Sequence, residues 1–179
     1  MFHVTERLLL RPAWPEDADA LFGGIADEGV VRNLARAPWP YLPQHAREFV
    51  AREQDQRVPN FLMTLPSEAG SQIIGSIGFG ETETGIELGY WIARPFWGQG
   101  YATEAGRGLI DVARLLGYRE LEAGHFLDNP ASGRVLRKLG FRPTGKVAQR
   151  HSCARGEAVD CALYRLDLAQ QDLVPPMAA

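Results

Sequence analysis

The sequence predicts an α+β fold, a mixed and mostly antiparallel sheet with helices on both sides. Three observations carry that expectation. Within residues 60–93, three short apolar runs, NFLMTL, QIIGSIGFG and GIELGYWIA, are separated by the turn clusters PSEAGS and ETETG, which is the pattern of an antiparallel meander. From Ala102 the period lengthens: Ala105, Leu109, Ile110, Val112, Ala113 and Leu116 recur at steps of three and four, giving one apolar helix face that Gly117 ends. A strand, LEAGHFL, and a helical run, NPASGRVLRKLGF closing at Gly140, then repeat the alternation, so helices must pack on a sheet.

The other elements follow in chain order. Residues 6–11, ERLLLR, read as a first strand. PEDADALFGGI offers an acidic first turn and apolar positions at Ala18, Leu21, Phe22 and Ile25, a helix ending between Gly23 and Ala26. A second helix is expected over 44–54, after the proline-punctuated APWPYLP, with an ordered aromatic loop between the two. A last pair of strands is expected near Lys146–Gln149 and Asp160–Leu168. At 179 residues and 45% hydrophobic the chain buries one core, so residues 1–169 are read as a single domain and 170–179 as a frayed tail.

Composition excludes several functions. A net charge of −3, from 19 basic and 22 acidic residues of interspersed sign, leaves no basic stripe for nucleic acid phosphates. MFHVTERLLLRP lacks the basic start and long apolar core of a signal peptide, and no stretch reaches membrane-spanning length, so the expected location is cytoplasmic with no membrane partner. Cys153 and Cys161 lack C-x-x-C spacing and metal-ligand partners, and are expected to be reduced thiols in a metal-free protein.

The chemistry concentrates at RPFWGQGYATEA, residues 94–105, a glycine-rich corner between a strand and a helix. Three phosphate-loop arrangements are separable by spacing. The dinucleotide fingerprint G-x-G-x-x-G fails, because Thr103 stands where the third glycine belongs. GFRPTGKV, residues 140–147, mimics a P-loop but ends in Val147, follows a helix and lacks the magnesium-binding hydroxyl. The third arrangement is a pyrophosphate cradle without lysine, made from the N–H groups of Gly98 to Thr103 at a helix start, where unpaired donors and the helix dipole favour an anion.

On TERLLLRP (5–12), IELGYWIARPFWGQGYATEA (86–105) and DNPASGRVLRKLGF (128–141), in this order, the chain resembles the GNAT superfamily of acyl-CoA-dependent N-acyltransferases. The branch it resembles contains the ribosomal-protein alanine and serine N-terminal acetyltransferases. That resemblance implies a three-layer fold on a six- to seven-stranded sheet, with acetyl-CoA as co-substrate. The superfamily pattern [QR]-x-x-G-x-[GA] maps onto Trp97, Gly98, Gln99, Gly100, Tyr101 and Ala102, with Trp97 departing from the usual Arg or Gln. The glycines are expected to let the backbone approach the ligand where a Cβ would block it. The resemblance also implies that Trp91, Ile92 and Ala93, in a strand that splays from its neighbour, pair with the pantetheine arm and the thioester carbonyl.

Acyl transfer to an amine requires a neutral amine, a donor for the developing oxyanion and a proton for the departing thiolate. Asn129 and Ser132 have a local explanation, since Asn-Pro-Ala-Ser suits an N-cap and first turn. The resemblance gives Asn129 a pantetheine contact as well, and makes Ser132 the candidate acid for the thiolate. Glu87 shares a strand face with Gly89 and Trp91 and is the candidate base, or else a rim carboxylate. His125 is a second candidate base, although a strand histidine is more often simply packed. Trp14, Trp39 and Tyr41 are candidates for an aromatic wall over the acceptor, while His151 and Cys153 receive no role.

The expected activity is therefore transfer of an acetyl group from acetyl-CoA to a primary amine, by direct attack. The amine is either a protein N-terminus or a small molecule, and a homodimer is the default assembly. A non-catalytic acyl-CoA-binding or sensing module is the alternative, and a nucleotide-binding protein using GFRPTGK a weaker one.

Overall fold

The computed structural model describes residues 1–68 and 70–171. Eight strands form one sheet: β1 (His3–Val4), β2 (Leu9–Arg11), β3 (Asn60–Ser67), β4 (Gly70–Glu81), β5 (Ile86–Ile92), β6 (Glu120–Phe126), β7 (Arg142–Ser152) and β8 (Glu157–Asp167). Their order is β1-β2-β3-β4-β5-β6-β8-β7, antiparallel throughout except where β5 meets β6. The helices are α1 (Ala18–Ile25), α2 (Glu28–Val31), α3 (Pro43–Val50), α4 (Tyr101–Leu115), α5 (Pro130–Lys138) and α6 (Leu168–Gln171).

Two apolar cores lie on the two faces of the sheet. The larger packs Ala105, Leu109, Val112 and Ala113 of α4 and Leu136 of α5 against Leu10, Met63, Ile77, Leu88 and Leu121. The smaller packs Leu21, Ile25, Val31 and Ala46 of α1 to α3 against Leu62, Ile73 and Trp91. Alternation along β5 explains the division, since Leu88 and Ile92 point to the first core and Trp91 to the second.

The architecture is the expected α+β one, with more strands than the six or seven anticipated. His3–Val4 adds one by pairing with Leu9–Leu10. β7 and β8 are longer than their apolar cores suggest, because pairing resumes across an irregularity between Pro143 and Val147. Conversely, only Leu9–Arg11 of the expected first strand is extended. Helix α2 occupies part of the expected aromatic loop, started by Asp27, whose carboxylate accepts the Gly29 N–H at 2.7 Å. The expected tail begins inside α6 at residues 170–171, and residues 172–179 lie outside the described residues. No helix among the described residues is long and apolar enough to cross a membrane.

Candidate active site

The site is built around the one parallel contact in the sheet. β5 and β6 touch at the Glu87/Glu122 pair and then diverge toward their C-terminal ends. The joined end is locked by the Glu122 carboxylate, which accepts from Thr84 at 2.6 Å, Thr82 at 3.2 Å and Arg165 at 3.3 Å. The Thr84 hydrogen bond is the main reason its pKa lies below the ordinary carboxylate value, and the Thr82 bond adds to it against the opposing effect of burial. Beyond that lock opens a cleft of about 1080 Å³ that reaches both faces of the sheet. Tyr41 and Phe49 line it on one face, and Thr103, Asn129, Ser132 and Leu136 on the other.

Main-chain direction decides what the splayed strand offers. Ala93 N–H donates to Ile74 C=O at 2.8 Å, and Trp91 pairs with Ser76, so both commit their backbone to β4. In an antiparallel pair the residue between them turns its N–H and C=O the other way, into the gap. Of Trp91, Ile92 and Ala93, therefore, Ile92 alone presents backbone groups to the cleft. Its carbonyl already accepts the Trp97 indole N–H at 2.6 Å, which leaves its N–H. Trp97 thus has a structural task where the superfamily pattern carries Arg or Gln.

After β5 the chain makes a short turn, with Phe96 N–H on Ala93 C=O and Trp97 N–H on Arg94 C=O, and enters α4 through Gly98 and Gly100. Among the described residues, the N–H groups of Gly98, Gln99, Gly100, Tyr101 and Ala102 donate to no protein acceptor. Thr103 differs from expectation: its N–H is satisfied by Gly100 C=O at 3.0 Å, as is that of Glu104, so the cradle ends at Ala102. Beside the clearance expected for a ligand, the fold makes its own demand on the glycines. A Cβ on Gly98 would meet nothing within 4 Å, and one on Gly100 only Arg7 Nη2 at 3.5 Å. What these positions require is left-handed backbone, φ +75° at Gly98 and +85° at Gly100, which aims successive amides to one side.

Arg7 holds that loop, and sequence reasoning missed it. Both terminal nitrogens of its guanidinium donate to Gln99 C=O at 3.2 Å. Because a trans peptide sets C=O and N–H on opposite sides, pinning this carbonyl turns the Gly100 N–H the other way, toward the cradle. Arg7 also lies 4.3 Å from the centroid of the Tyr101 ring and binds Glu104 through Nε at 2.7 Å and through its backbone N–H at 2.6 Å. Burial alone would raise the Glu104 pKa, but the hydrogen bonds from Thr5 and Arg7 more than reverse that and hold it below the ordinary value. The only signal for Arg7 in the sequence is its place in TERLLLRP, 92 residues from Gln99.

Across the gap, Asn129 caps α5: its side-chain oxygen accepts the Ser132 N–H at 3.3 Å, and among the described residues its Nδ2 has no protein partner. Ser132 Oγ accepts the Tyr90 hydroxyl at 3.0 Å. That bond occupies a Ser132 lone pair and leaves the Ser132 proton to be given elsewhere. Burial pushes the Tyr90 phenol above its ordinary value, so Tyr90 remains a donor at neutral pH. His125 is packed instead of poised, with Nδ1 at 2.8 Å from Phe126 O, Nε2 at 3.4 Å from Tyr164 Oη, and its ring against Gly133 of α5.

On the opposite face Glu87, Gly89 and Trp91 of β5 pair with Gly80, Gly78 and Ser76 of β4, a floor of mostly small residues. Glu87 Oε1 is ion-paired with Arg150 of β7, another residue the sequence did not single out. Burial lowers the Arg150 pKa, but the bond and charge of Glu87 outweigh it and the net shift is upward. Of the expected aromatic wall only Tyr41 lines the cleft, whereas Trp14 stacks on Arg11 at 4.0 Å. The β7–β8 tip closes this side. Arg155 Nε donates to Arg32 O at 2.8 Å, Ser152 Oγ to Leu34 O at 3.3 Å, and Cys153 N–H to Ala35 O at 2.9 Å. The other glycine-lysine stretch, residues 140–147, runs into β7, with Thr144 Oγ1 bonded to Leu163 O, and frames no cradle.

Comparison with known proteins gives a consistent result. Residues 7–142 match the family model described as acetyltransferase (GNAT) domain. The chain is 31% identical over 169 residues to the uncharacterized N-acetyltransferase p20 of Bacillus licheniformis, covering 90% of this chain and 93% of p20. The fold superposes on an acetyltransferase (GNAT family) from Bacillus anthracis with a TM-score of 0.80 at 24% identity, covering 94% of this chain and 99% of that one. It superposes on RimL, a ribosomal L7/L12 alpha-N-protein acetyltransferase in complex with coenzyme A, with a TM-score of 0.77 at 21% identity, covering 93% and 98%.

Proposed function

The chain belongs to the GNAT acetyltransferase family, and from that premise we propose that it moves an acetyl group from acetyl-CoA to a primary amine by direct attack, acting as one domain over residues 1–169. The observation that carries the assignment is the row of five unpartnered amides, Gly98 to Ala102, beside a cleft that opens between two parting strands. Such a row at a helix start suits a pyrophosphate, and it needs no lysine. Acetyl-CoA, when bound, supplies the activated acetyl carbonyl and the thiolate that leaves.

The chain's own groups fit that partner. Gly98, Gln99, Gly100, Tyr101 and Ala102 hold the pyrophosphate through their N–H groups, and Asn129 Nδ2 donates to the pantetheine arm. The Ile92 N–H donates to the thioester carbonyl oxygen. Glu87, through the oxygen that Arg150 leaves free, takes the amine proton directly or through water. Ser132 Oγ, oriented by Tyr90, gives its proton to the thiolate. Transfer then forms a C–N bond, breaks the C–S bond, and returns one proton to bulk for each one supplied.

The acceptor is a protein N-terminus or a small-molecule amine, and the site lies within the cell's cytoplasm. The test is thiol release from acetyl-CoA across a panel of amines and peptides, with the acetylated product read by mass. Release with a mass gain on the acceptor supports transfer. Tight binding of acetyl-CoA with no release under any acceptor would make the chain a binding module instead, and no binding at all would overturn the cradle.

A further inference from the structure

The acceptor half of the cleft contains a cation that the transfer chemistry leaves unused. Arg36 lines the cleft, and among the described residues it makes no ion pair or hydrogen bond with a carboxylate. The segment before it is held in place, because Arg155, Ser152 and Cys153 at the β7–β8 tip bind the carbonyls of Arg32, Leu34 and Ala35. Arg36 therefore stands on a fixed platform. Its guanidinium overhangs β4: Nη2 lies 3.9 Å from where a Cβ on Gly80 would stand, and nothing else comes within 4 Å of that point.

Gly80 is the cross-strand partner of Glu87. Side chains of directly opposed residues share a face and stand about 5 Å apart at Cβ. The Arg36 guanidinium thus stands over the face that carries the candidate base, within about 9 Å of the Glu87 Cβ, a span that a small bifunctional ligand can bridge. Next along the same face comes Gly89, with nothing within 4 Å of its Cβ position. The bare floor of Gly80 and Gly89 leaves room for a ligand between the two charged groups. None of the cleft's carboxylates bonds to Arg36 among the described residues: Glu48 accepts from Gln44 at 2.8 Å, Asp55 from Arg57 at 2.9 Å, and Glu87 from Arg150, and Glu53 and Glu81, exposed like Arg36 itself, make no ion pair with it.

We propose that the acceptor carries a carboxylate a few bonds from its amine, and that Arg36 receives this carboxylate while the amine reaches the free oxygen of Glu87. A planar guanidinium suits a carboxylate because two parallel N–H donors can meet its two oxygens. The carboxylate has two sources, the α-carboxylate of a free amino acid or the side chain of an acidic residue at a peptide N-terminus. The proposal rests on the acetyl-transfer assignment above.

The test uses the full chain, acetyl-CoA and two matched acceptor pairs. One pair is leucine and leucinamide; the other is a C-terminally amidated tripeptide beginning with Asp and its counterpart beginning with Asn. kcat/KM is measured by thiol release, with product mass as a check, for wild type, Arg36→Gln and Arg36→Lys. Within one pair, the carboxylate-to-amide ratio should fall about 10-fold or more in Arg36→Gln and be partly kept in Arg36→Lys, as a hydrogen bond to a charged group implies. Comparing ratios between enzymes cancels the different basicity of the paired amines. The pair that responds identifies the source of the carboxylate. Ratios unchanged in Arg36→Gln for both pairs overturn the proposal, and so does acetylation of none of the four while acetyl-CoA still binds. Loss of acetyl-CoA binding by the wild type would instead overturn the assignment on which the proposal rests.

Discussion

Tyr90 of β5 reaches across the parted strands and donates its hydroxyl to Ser132 Oγ of α5 at 3.0 Å. The direction of that bond makes Ser132 a donor toward the cleft. Ser132→Ala is expected to lower kcat by about 100-fold or more with little change in acetyl-CoA affinity, as for loss of a general acid. Tyr90→Phe keeps the ring and removes the donor, and should lower kcat by about 10-fold with affinity again preserved. If calorimetry shows that either variant loses affinity in proportion to rate, the hydroxyl pair serves binding and not proton delivery.

Gly100→Val places a β-branched residue at φ +85°. Within the protein the cost is conformational, since among the described residues the space beside Gly100 holds only the Arg7 guanidinium. The loop is expected to abandon its left-handed turn and misdirect the amides, lowering acetyl-CoA affinity by about 10-fold or more at a conformational cost of about 1–3 kcal/mol. Undiminished affinity in a folded Gly100→Val protein would sink the cradle.

Arg7→Ala frees the Gln99 carbonyl and leaves the Glu104 carboxylate without its guanidinium partner. If Arg7 acts by positioning the loop, the variant loses kcat/KM with acetyl-CoA but keeps it with an acetyl-pantetheine thioester, which lacks the pyrophosphate. An equal loss with both donors would point to general destabilisation.

Acid should weaken the same contact. Burial opposes ionisation of Glu104, but its bonds from Thr5 and Arg7 hold the folded pKa below the ordinary carboxylate value. A depressed carboxylate contributes stability that is complete above its unfolded pKa and disappears as pH falls through the folded one. The difference in Tm between wild type and Glu104→Gln should therefore be largest near neutrality and shrink below about pH 4. A difference that stays constant down to pH 3 would show that the pair contributes through packing alone.

Glu87→Gln preserves shape while removing the carboxylate that faces Arg150. With the true acceptor, the rising limb of kcat/KM against pH should be displaced or lost. The effect should be larger for a lysine-like amine, whose ordinary pKa is about 10.4, than for an α-amine near about 7.7–8.0. An unchanged profile would leave Glu87 as a structural partner of Arg150 and deprotonation to water.

What the sequence disclosed depended on range. The meander over 60–93 and helix α4 were legible because their periods are local, and Asn129-Pro130 announced α5 by itself. The four residues of α2 contain no period, and the element depends on the Asp27 cap. The supporting contacts were out of reach for a different reason. Arg7 meets Gln99 across 92 positions, Glu87 meets Arg150 across 63, and Tyr90 meets Ser132 across 42. No local pattern encodes such encounters; the sheet order creates them. The glycines at 98 and 100 are legible as room for a ligand to approach the backbone, whereas the left-handed φ angles that the turn also requires become visible only in the fold.

The cleft between β5 and β6 opens on both faces of the sheet, with the amide row and Ser132 on one side and Tyr41, Arg36 and Glu87 on the other. A passage with two mouths gives each reactant its own entrance. On the proposed assignment, neither partner has to vacate the site before the other arrives, and double-reciprocal plots of initial rate against the two concentrations should intersect, where a ping-pong enzyme would give parallel lines. The same geometry sets the shape of an effective inhibitor: a single linear molecule threaded through the sheet, with a nucleotide at one end, an amine-derived group at the other, and a slender linker no bulkier than the gap beside Ile92.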